Sequence, residues 1–217
     1  MEPSSVNEHR DLPALNDAIE KSKRWMESAQ SLTDGLQFDT TPRRRLSITL
    51  HHLSIEHHSA IHTLVDLHVW GSAFALIRPQ LEAYVRGMWY GACATDKDIA
   101  KFFKDVDPPP FKKLAEQLEA VGAIDGTLLH LHKQSWNQLC GFTHGGLIQV
   151  RNRNTRDDIV SRYELKDVTG LVDGSAALVL SACAGIASVL DDAPFAVEAT
   201  KAYDTIYGTA IADNLPT

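Results

Sequence analysis

Three charged side chains stand in an otherwise apolar stretch of the sequence. Between residues 67 and 95 the only Asp, Glu, Lys or Arg residues are Arg78, Glu82 and Arg86. Their spacing of four residues places them on one side of a helix. Charges shielded by apolar neighbours need partners, and two guanidinium groups around one carboxylate leave donors for a planar anion such as phosphate. The alternatives are a structural ladder of ion pairs that holds two helices together, or a solvent-exposed edge of the helix.

A histidine followed by two glycines is the second candidate for chemistry. His144 precedes Gly145 and Gly146, which have no side chains to block the approach of a ligand backbone. Imidazole exchanges protons near neutral pH and therefore suits acid–base catalysis. We predict a catalytic group of His144 with Arg78, Glu82 and Arg86. The alternative is a glycine helix cap, with the histidine interacting with the last carbonyls.

A short basic segment follows this histidine in a chain whose formal net charge is −7. A protein that grips phosphates over its whole surface is more often basic, so any contact with nucleic acid must be local. Arginine and asparagine side chains suit phosphates and base edges. The alternative is a solvated loop. The side chains predicted to bind RNA or another anion are Asn137, Arg151, Arg153 and Arg156.

Six histidines between residues 51 and 68 raise the alternative of a metal site. His58, His62 and Asp66 are spaced four residues apart, and the two histidines have the spacing of two metal ligands on one helix. The Glu-x-x-His pattern of di-iron bundles does not occur in the chain. No metal or cofactor is therefore favoured. His57 and His68 fall on the apolar stripe and are predicted to be core residues.

Composition and periodicity predict one all-α domain. Of 217 residues, 44% are hydrophobic and 23% are charged, as in globular proteins. The three cysteines lie far apart, which favours reduced thiols and a cytoplasmic location. The N-terminus has no apolar segment typical of a signal peptide. The uncharged run at residues 174–190 is predicted to be a buried helix rather than a membrane span, so no membrane partner is expected.

The apolar spacing predicts a bundle of six to eight helices, with a flexible polar N-terminus at 1–12, a single domain at 13–212 and a tail at 213–217. Pro79 either kinks the third helix or marks its first turn. Residues 147–150 are predicted to form a short extended piece. The predicted helices begin and end near residues 13–33, 43–69, 72–94, 95–104, 111–121, 127–142, 165–190 and 194–212.

Several of these segments resemble a bacterial family known only as a helical domain of unknown function. The resemblance rests on Glu56-His57-His58, on Cys93-Ala94, on Gly71–Gly87 (GSAFALIRPQLEAYVRG) and on Cys140–Gly146 (CGFTHGG), and it covers roughly residues 46–158.

More distantly, the helical layout is similar to the HEPN superfamily. This resemblance implies a metal-independent ribonuclease of a toxin–antitoxin or phage-defence system, with RNA as substrate and an antitoxin or other protein as partner. It also implies a homodimer, and the small residues at 174–190 allow close helix packing. Superfamily members carry an Arg-x(4–6)-His motif, whereas here only Arg44 or Arg45 with His51 or His52 has that spacing.

In this chain, Arg78 or Arg86 could form an equivalent Arg–His pair only if the fold places it next to His144. Two functional alternatives stay open. One is a non-enzymatic helical module that binds a protein or small anion. The other is the histidine-ligated metal-binding bundle.

Overall fold

The computed structural model describes residues 4–39 and 41–208, with side chains from residue 11 onward. The secondary-structure elements of this part of the chain are all helices, joined by turns and irregular loops with one isolated bridge between Asn154 and Ile159, which confirms the all-α prediction. It contains nine helices: α1 (Ser4–Thr33), α2 (Pro42–Asp66), α3 (Trp70–Ala92), α4 (Asp96–Phe102), α5 (Phe111–Ala120), α6 (Thr127–Thr143), α7 (Leu147–Arg151), α8 (Leu165–Leu190) and α9 (Ala193–Tyr207).

The helical hairpin of α2 and α3 forms the centre of the bundle. Only residues 67–69 separate the two helices, so they pack against each other along most of their lengths. The Thr41 side chain accepts a hydrogen bond from the backbone N–H of Arg44, and Pro42 occupies the first turn, so α2 begins with two favourable signals. α8 crosses both helices, while α1 and α9 cover its outer side and α5 and α6 pack on α3.

Pro79 lies inside α3 and not at its first turn. Proline has no backbone N–H, so the carbonyl of Ala75, four residues earlier, loses its usual helical donor. The Thr143 hydroxyl of α6 shares its single hydrogen between that carbonyl at 3.2 Å and the Leu139 carbonyl of its own helix at 3.0 Å. The unpaired carbonyl of one helix thus becomes an attachment point for another.

The long uncharged run belongs to helix α8. It is long and apolar enough to cross one by length and composition, but more than half of its most apolar window is buried among the other helices. Its face includes Val172, Ala176, Val179 and Cys183, which are fully buried. Burial of this face stabilises the fold by about 25 cal/mol for each Å² of apolar surface removed from water.

Several predicted boundaries differ from the observed ones. α1 begins at Ser4 and contains Pro13, which the sequence had placed at the helix start. The extended piece predicted at 147–150 is wrong, because those residues belong to the short helix α7. Four residues are too few for a twofold period to be told from a helical one. The number of helices is higher than predicted, and the predicted tail at 213–217 lies outside the described residues.

The prediction of core histidines is also wrong. His68 is exposed, and its positive φ of 60° belongs to the turn after α2, while His57 is only half-buried. The fully buried histidines of α2 are His51 and His58. α2 is enclosed by α1, α3 and α8, so its buried face is broader than one apolar stripe and includes small and polar residues.

Candidate functional site

The site is formed where the middle of α3 meets the C-terminal end of α6. Nη1 of Arg78 donates a hydrogen bond to Nε2 of His144 at 2.8 Å and contacts Sγ of Cys140 at 3.4 Å. The guanidinium carbon of Arg78 lies 4.8 Å from the ring centre of Trp136, a cation–π contact. Folding thus brings together an arginine and a histidine that are 66 residues apart.

Glu82 links the two arginines of α3. Its Oε1 accepts from Nε of Arg78 at 2.8 Å, and its Oε2 lies 3.7 Å from Nη2 of Arg86. The Arg78 and Glu82 side chains are 18% and 23% exposed, while Arg86 is 38% exposed. The first ion pair is therefore the tighter and better shielded one, and Arg86 retains more freedom to meet an external anion.

The end of α6 is fixed by its glycine cap. Gly145 adopts a positive φ of 65°, and the N–H of Gly146 donates to the carbonyl of Gly141 at 2.7 Å. These features belong to a glycine cap of the Schellman type, so the predicted cap is present, but the His144 ring is bonded to Arg78 and not to the last carbonyls. A side chain at Gly146 would meet the backbone of Gly141 at 2.9 Å. The cap and the Thr143 bond to α3 hold His144 beside Arg78.

Gln149 joins the segment after His144 to the bundle, and we did not predict its role from the sequence. Its buried amide nitrogen donates to the carbonyls of Gly71 at 2.7 Å and Phe142 at 3.0 Å. Its Oε1 accepts from Arg153 and from the Tyr163 hydroxyl, both at 2.6 Å. Four bonds satisfy the amide fully. A single glutamine in a helix of five residues gives no periodic signal in the sequence, so only the fold reveals this arrangement.

The predicted RNA-binding residues lie in different settings. Asn137, Arg151 and Arg156 are exposed and free to contact a ligand. Arg153 is exposed along part of its length, but its guanidinium packs against Gly71 and donates to Gln149. The segment after Asn152 turns back on itself through backbone bonds such as Arg162 N–H to the Asn152 carbonyl at 2.8 Å. The basic loop is therefore a compact turn.

The alternative metal ligands do not form a ligand cluster. Both ring nitrogens of His58 are hydrogen-bonded to serine hydroxyls, Nε2 to Ser22 and Nδ1 to Ser175. Nδ1 of His62 is bonded to the same Ser22 hydroxyl at 3.1 Å. In the part of the chain that the structure describes, no group of three His, Cys, Asp or Glu side chains could hold a metal ion.

The Arg-x(4–6)-His pairs that use His51 do not form a surface site, whereas Arg45 and His52, which have the same spacing, are both exposed. His51 is fully buried between α3 and α8, and neither of its ring nitrogens has a hydrogen-bond partner among the described residues. Burial lowers the pKa of His51 to about 4 because the charged imidazolium loses its hydration. A sealed, neutral imidazole cannot exchange protons with a substrate.

Comparison with known proteins places the chain in a family. The sequence profile of the family of unknown function DUF6988 matches residues 51–210. The chain belongs to the DUF6988 family. The match confirms the predicted family of unknown function and extends beyond residue 158, where we had expected it to end. No curated protein and no solved structure matches the chain.

In this DUF6988 protein the hydrogen bond between Arg78 and His144 fixes the state of the imidazole. A guanidinium can only donate, so Nε2 of His144 must accept, and the neutral ring carries its proton on Nδ1. His144 is exposed, as is part of Arg86. The site therefore presents the imidazole of His144 and part of the Arg86 guanidinium to solvent. Such a surface can bind a phosphodiester and exchange a proton with it.

Proposed function

We propose that the chain is a HEPN-like, metal-independent endoribonuclease whose active site is Arg78, Arg86 and His144. The observation that supports this is the 2.8 Å hydrogen bond between the guanidinium of Arg78 and Nε2 of His144. Phosphodiester cleavage without a metal requires a proton acceptor beside a cation that stabilises the developing charge on phosphorus. Arg78 and His144 supply both, and Glu82 orients the two arginines.

The reaction follows from the positions of these groups. In the free protein, an N–H of Arg78 donates a hydrogen bond to Nε2 of His144. When RNA binds, a non-bridging phosphate oxygen accepts that hydrogen bond instead, and Nε2 becomes free to act as a base. Nε2 removes the proton of the ribose 2′-hydroxyl, the 2′-oxygen bonds to phosphorus, and the bond from phosphorus to the 5′-oxygen breaks. Water protonates the leaving oxygen, because in-line displacement places it opposite the base. The products are a 2′,3′-cyclic phosphate and a 5′-hydroxyl.

Substrate binding in this proposal depends on exposed side chains outside the catalytic group. Arg151 and Arg156 contact the RNA backbone, and Asn137 lies on the exposed side of α6 that leads to His144. Because lysine and arginine contacts to phosphates release counterions, affinity should fall steeply with salt. The net charge of −7 confines this binding to the neighbourhood of the site.

The test is cleavage of a labelled single-stranded RNA in the presence of EDTA. Wild-type protein should yield fragments ending in a cyclic phosphate, and Arg78→Ala and His144→Ala should lose this activity by about a hundredfold or more. His130→Ala and Arg24→Ala are matched controls, since both residues are exposed and lie outside the site. No cleavage by the wild type, or full activity of His144→Ala, would overturn the proposal.

One observation favours the non-enzymatic alternative, a module that binds a protein or a small anion. Arg78 already has protein partners on Glu82, Cys140, His144 and Trp136. A guanidinium that is already occupied by protein partners is suited to holding α3 and α6 together. On this alternative Arg78→Ala lowers the unfolding temperature, while His144→Ala changes neither RNA integrity nor cell growth on expression of the protein.

A further inference from the structure

A separate cleft contains chemistry that the proposed ribonuclease does not use. It lies between α1, the C-terminal end of α2 and the start of α8, and has a volume of about 480 Å³. Leu15, Ile19, Val65 and Trp70 supply apolar lining, and His62 contributes an imidazole. The size is within the range of small-molecule sites, which combine apolar walls with a few placed polar groups.

A buried chain of hydrogen bonds leads from this imidazole into the core. It begins at Gln80 of α3, whose amide nitrogen faces the backbone carbonyl of Ser175 at 3.0 Å, so its Oε1 faces the Ser175 hydroxyl at 2.7 Å. The reverse amide orientation would set two acceptors against each other. The Ser175 hydroxyl therefore donates to Gln80, and Nδ1 of His58 donates to the same hydroxyl at 2.8 Å.

The direction of these bonds continues to the cleft. Burial lowers the pKa of His58 to about 3, so its ring is neutral and its Nε2 must accept from the Ser22 hydroxyl. This hydrogen bond uses the single hydroxyl hydrogen of Ser22. Nδ1 of His62, which lies 3.1 Å from the Ser22 oxygen, must therefore donate to it. His62 is then held as the tautomer with its proton on Nδ1 and a lone pair on Nε2.

That lone pair is available to a ligand. Nε2 of His62 has no hydrogen-bond partner among the described residues, and it is not among their polar atoms that are buried away from solvent without a partner. His62 is 8% exposed, and what remains accessible lines the cleft. Desolvation lowers the pKa of His62, which keeps the ring neutral and able to accept near neutral pH. The cleft therefore contains one oriented acceptor.

The charges around His62 favour a cation. Two carboxylates, Asp66 and Glu20, line the cleft, and the negative charge of Glu27 on α1 also reaches His62. Lys23 is the opposing positive group. Counting the imidazoles as neutral, the local balance is acidic. His68 also lines the cleft, and its ring lies 5.6 Å from that of Trp70, so aromatic surface stands beside the carboxylates. Aromatic rings and carboxylates together suit an organic ammonium group.

We propose that this cleft binds a small organic cation, an amine on an apolar or aromatic body, whose N–H donates to Nε2 of His62. The body lies against the apolar walls and Trp70, and Asp66 balances the charge. The serine–histidine chain positions His62 by fixing its ring and its tautomer. This site is independent of the ribonuclease proposal, since it shares no side chain with it.

The experiment titrates full-length protein at pH 7 with phenethylamine and with phenylacetate, which match in size and differ in charge. Binding is followed by amide chemical shifts and by the imidazole nitrogen shifts of His62. Phenethylamine should bind with changes confined to the cleft, and phenylacetate should not bind. His62→Phe, which keeps a ring but removes the acceptor, should weaken phenethylamine about tenfold or more, whereas exposed His130→Phe should leave it unchanged.

Asp66→Asn provides a second variant at an exposed position, where folding is not at risk, and should also weaken the amine. The proposal is overturned if the two probes bind equally, if the amine does not bind at millimolar concentration, or if His62→Phe folds and binds like the wild type. It is also overturned if the nitrogen shifts show the proton of free His62 on Nε2.

Discussion

Nη1 of Arg78 and Nε2 of His144 lie 2.8 Å apart, although one belongs to the middle of α3 and the other to the last residue before the glycine cap of α6. The bond depends on the crossing of these helices and on the cap that ends the second one. It gives the DUF6988 protein a defined imidazole tautomer beside a guanidinium, and this pair is the starting point for the predictions.

The first prediction concerns that tautomer. In the wild type, NMR of the imidazole nitrogens should show His144 with its proton on Nδ1, because Arg78 occupies Nε2. Arg78→Leu removes the donor and should shift the population toward the form protonated on Nε2. Arg86→Leu is the matched control, because Arg86 contacts Glu82 and makes no described hydrogen bond to His144. Identical spectra for all three proteins would contradict the observed contact.

The second prediction concerns the Arg78–Glu82 ion pair. Both side chains are less than a quarter exposed, so Glu82→Ala leaves a partly shielded guanidinium without its carboxylate. We expect a loss of about 2 kcal/mol in the free energy of unfolding, measured by urea denaturation. Asp17→Ala breaks the more exposed pair with Lys21 and should cost less than about 0.5 kcal/mol. Equal effects of the two substitutions would show that Glu82 is no better shielded.

The third prediction compares two glycines of the same helix, α8. A methyl group at Gly185 would collide with the buried ring of His51, so Gly185→Ala should destabilise the protein by about 2 kcal/mol or more. Gly174 has open space around it, and Gly174→Ala should stabilise the helix by about 0.5–1 kcal/mol. Combining Gly185→Ala with His51→Ala should recover part of the loss, which a thermal unfolding series can measure.

The fourth prediction is a pH dependence of stability caused by His51. Its pKa is about 4 in the folded protein, below the ordinary histidine value of 6.5, so between these two pH values only the unfolded chain takes up the proton. The contribution of His51 to stability should therefore be fully present above about pH 6.5 and be lost as the pH is lowered to 4. The loss from this residue is about 3 kcal/mol.

Two neighbouring variants isolate that contribution. His51→Leu should flatten the pH dependence of the unfolding free energy, while His52→Leu, which changes an exposed neighbour on α2, should retain it. His58, with a pKa lowered to about 3, contributes in the same direction in both variants, so a residual slope is expected. A His51→Leu curve parallel to that of the wild type would contradict the assignment.

The fifth prediction concerns Gln149. Gln149→Met keeps the length of the side chain but leaves two carbonyls, Tyr163 and Arg153 without their partner. We expect a loss of about 3 kcal/mol or more, because several buried polar groups lose a bond at once. Hydrogen exchange should also speed up at the end of α6. Gln138→Met, at an exposed position of α6, should change neither quantity.

The sequence alone was sufficient for the helical class and for the pairing of Arg78 with Glu82. Apolar residues at the helical period mark elements such as residues 165–190, whose predicted and observed ends coincide, because periodicity is a local property. Residues four apart on one helix are neighbours in any fold. The same local logic indicated the glycine cap after His144.

The tertiary structure decided everything that depends on which faces meet. It placed His144 against Arg78, buried His51 and His58 instead of His57 and His68, and made Gln149 the link between α7, α6 and α3. These outcomes depend on helix crossings and on the tight packing that encloses α2. A pattern along one helix specifies its apolar side, but the width of its buried face and the partner of each polar group are set by the neighbouring helices.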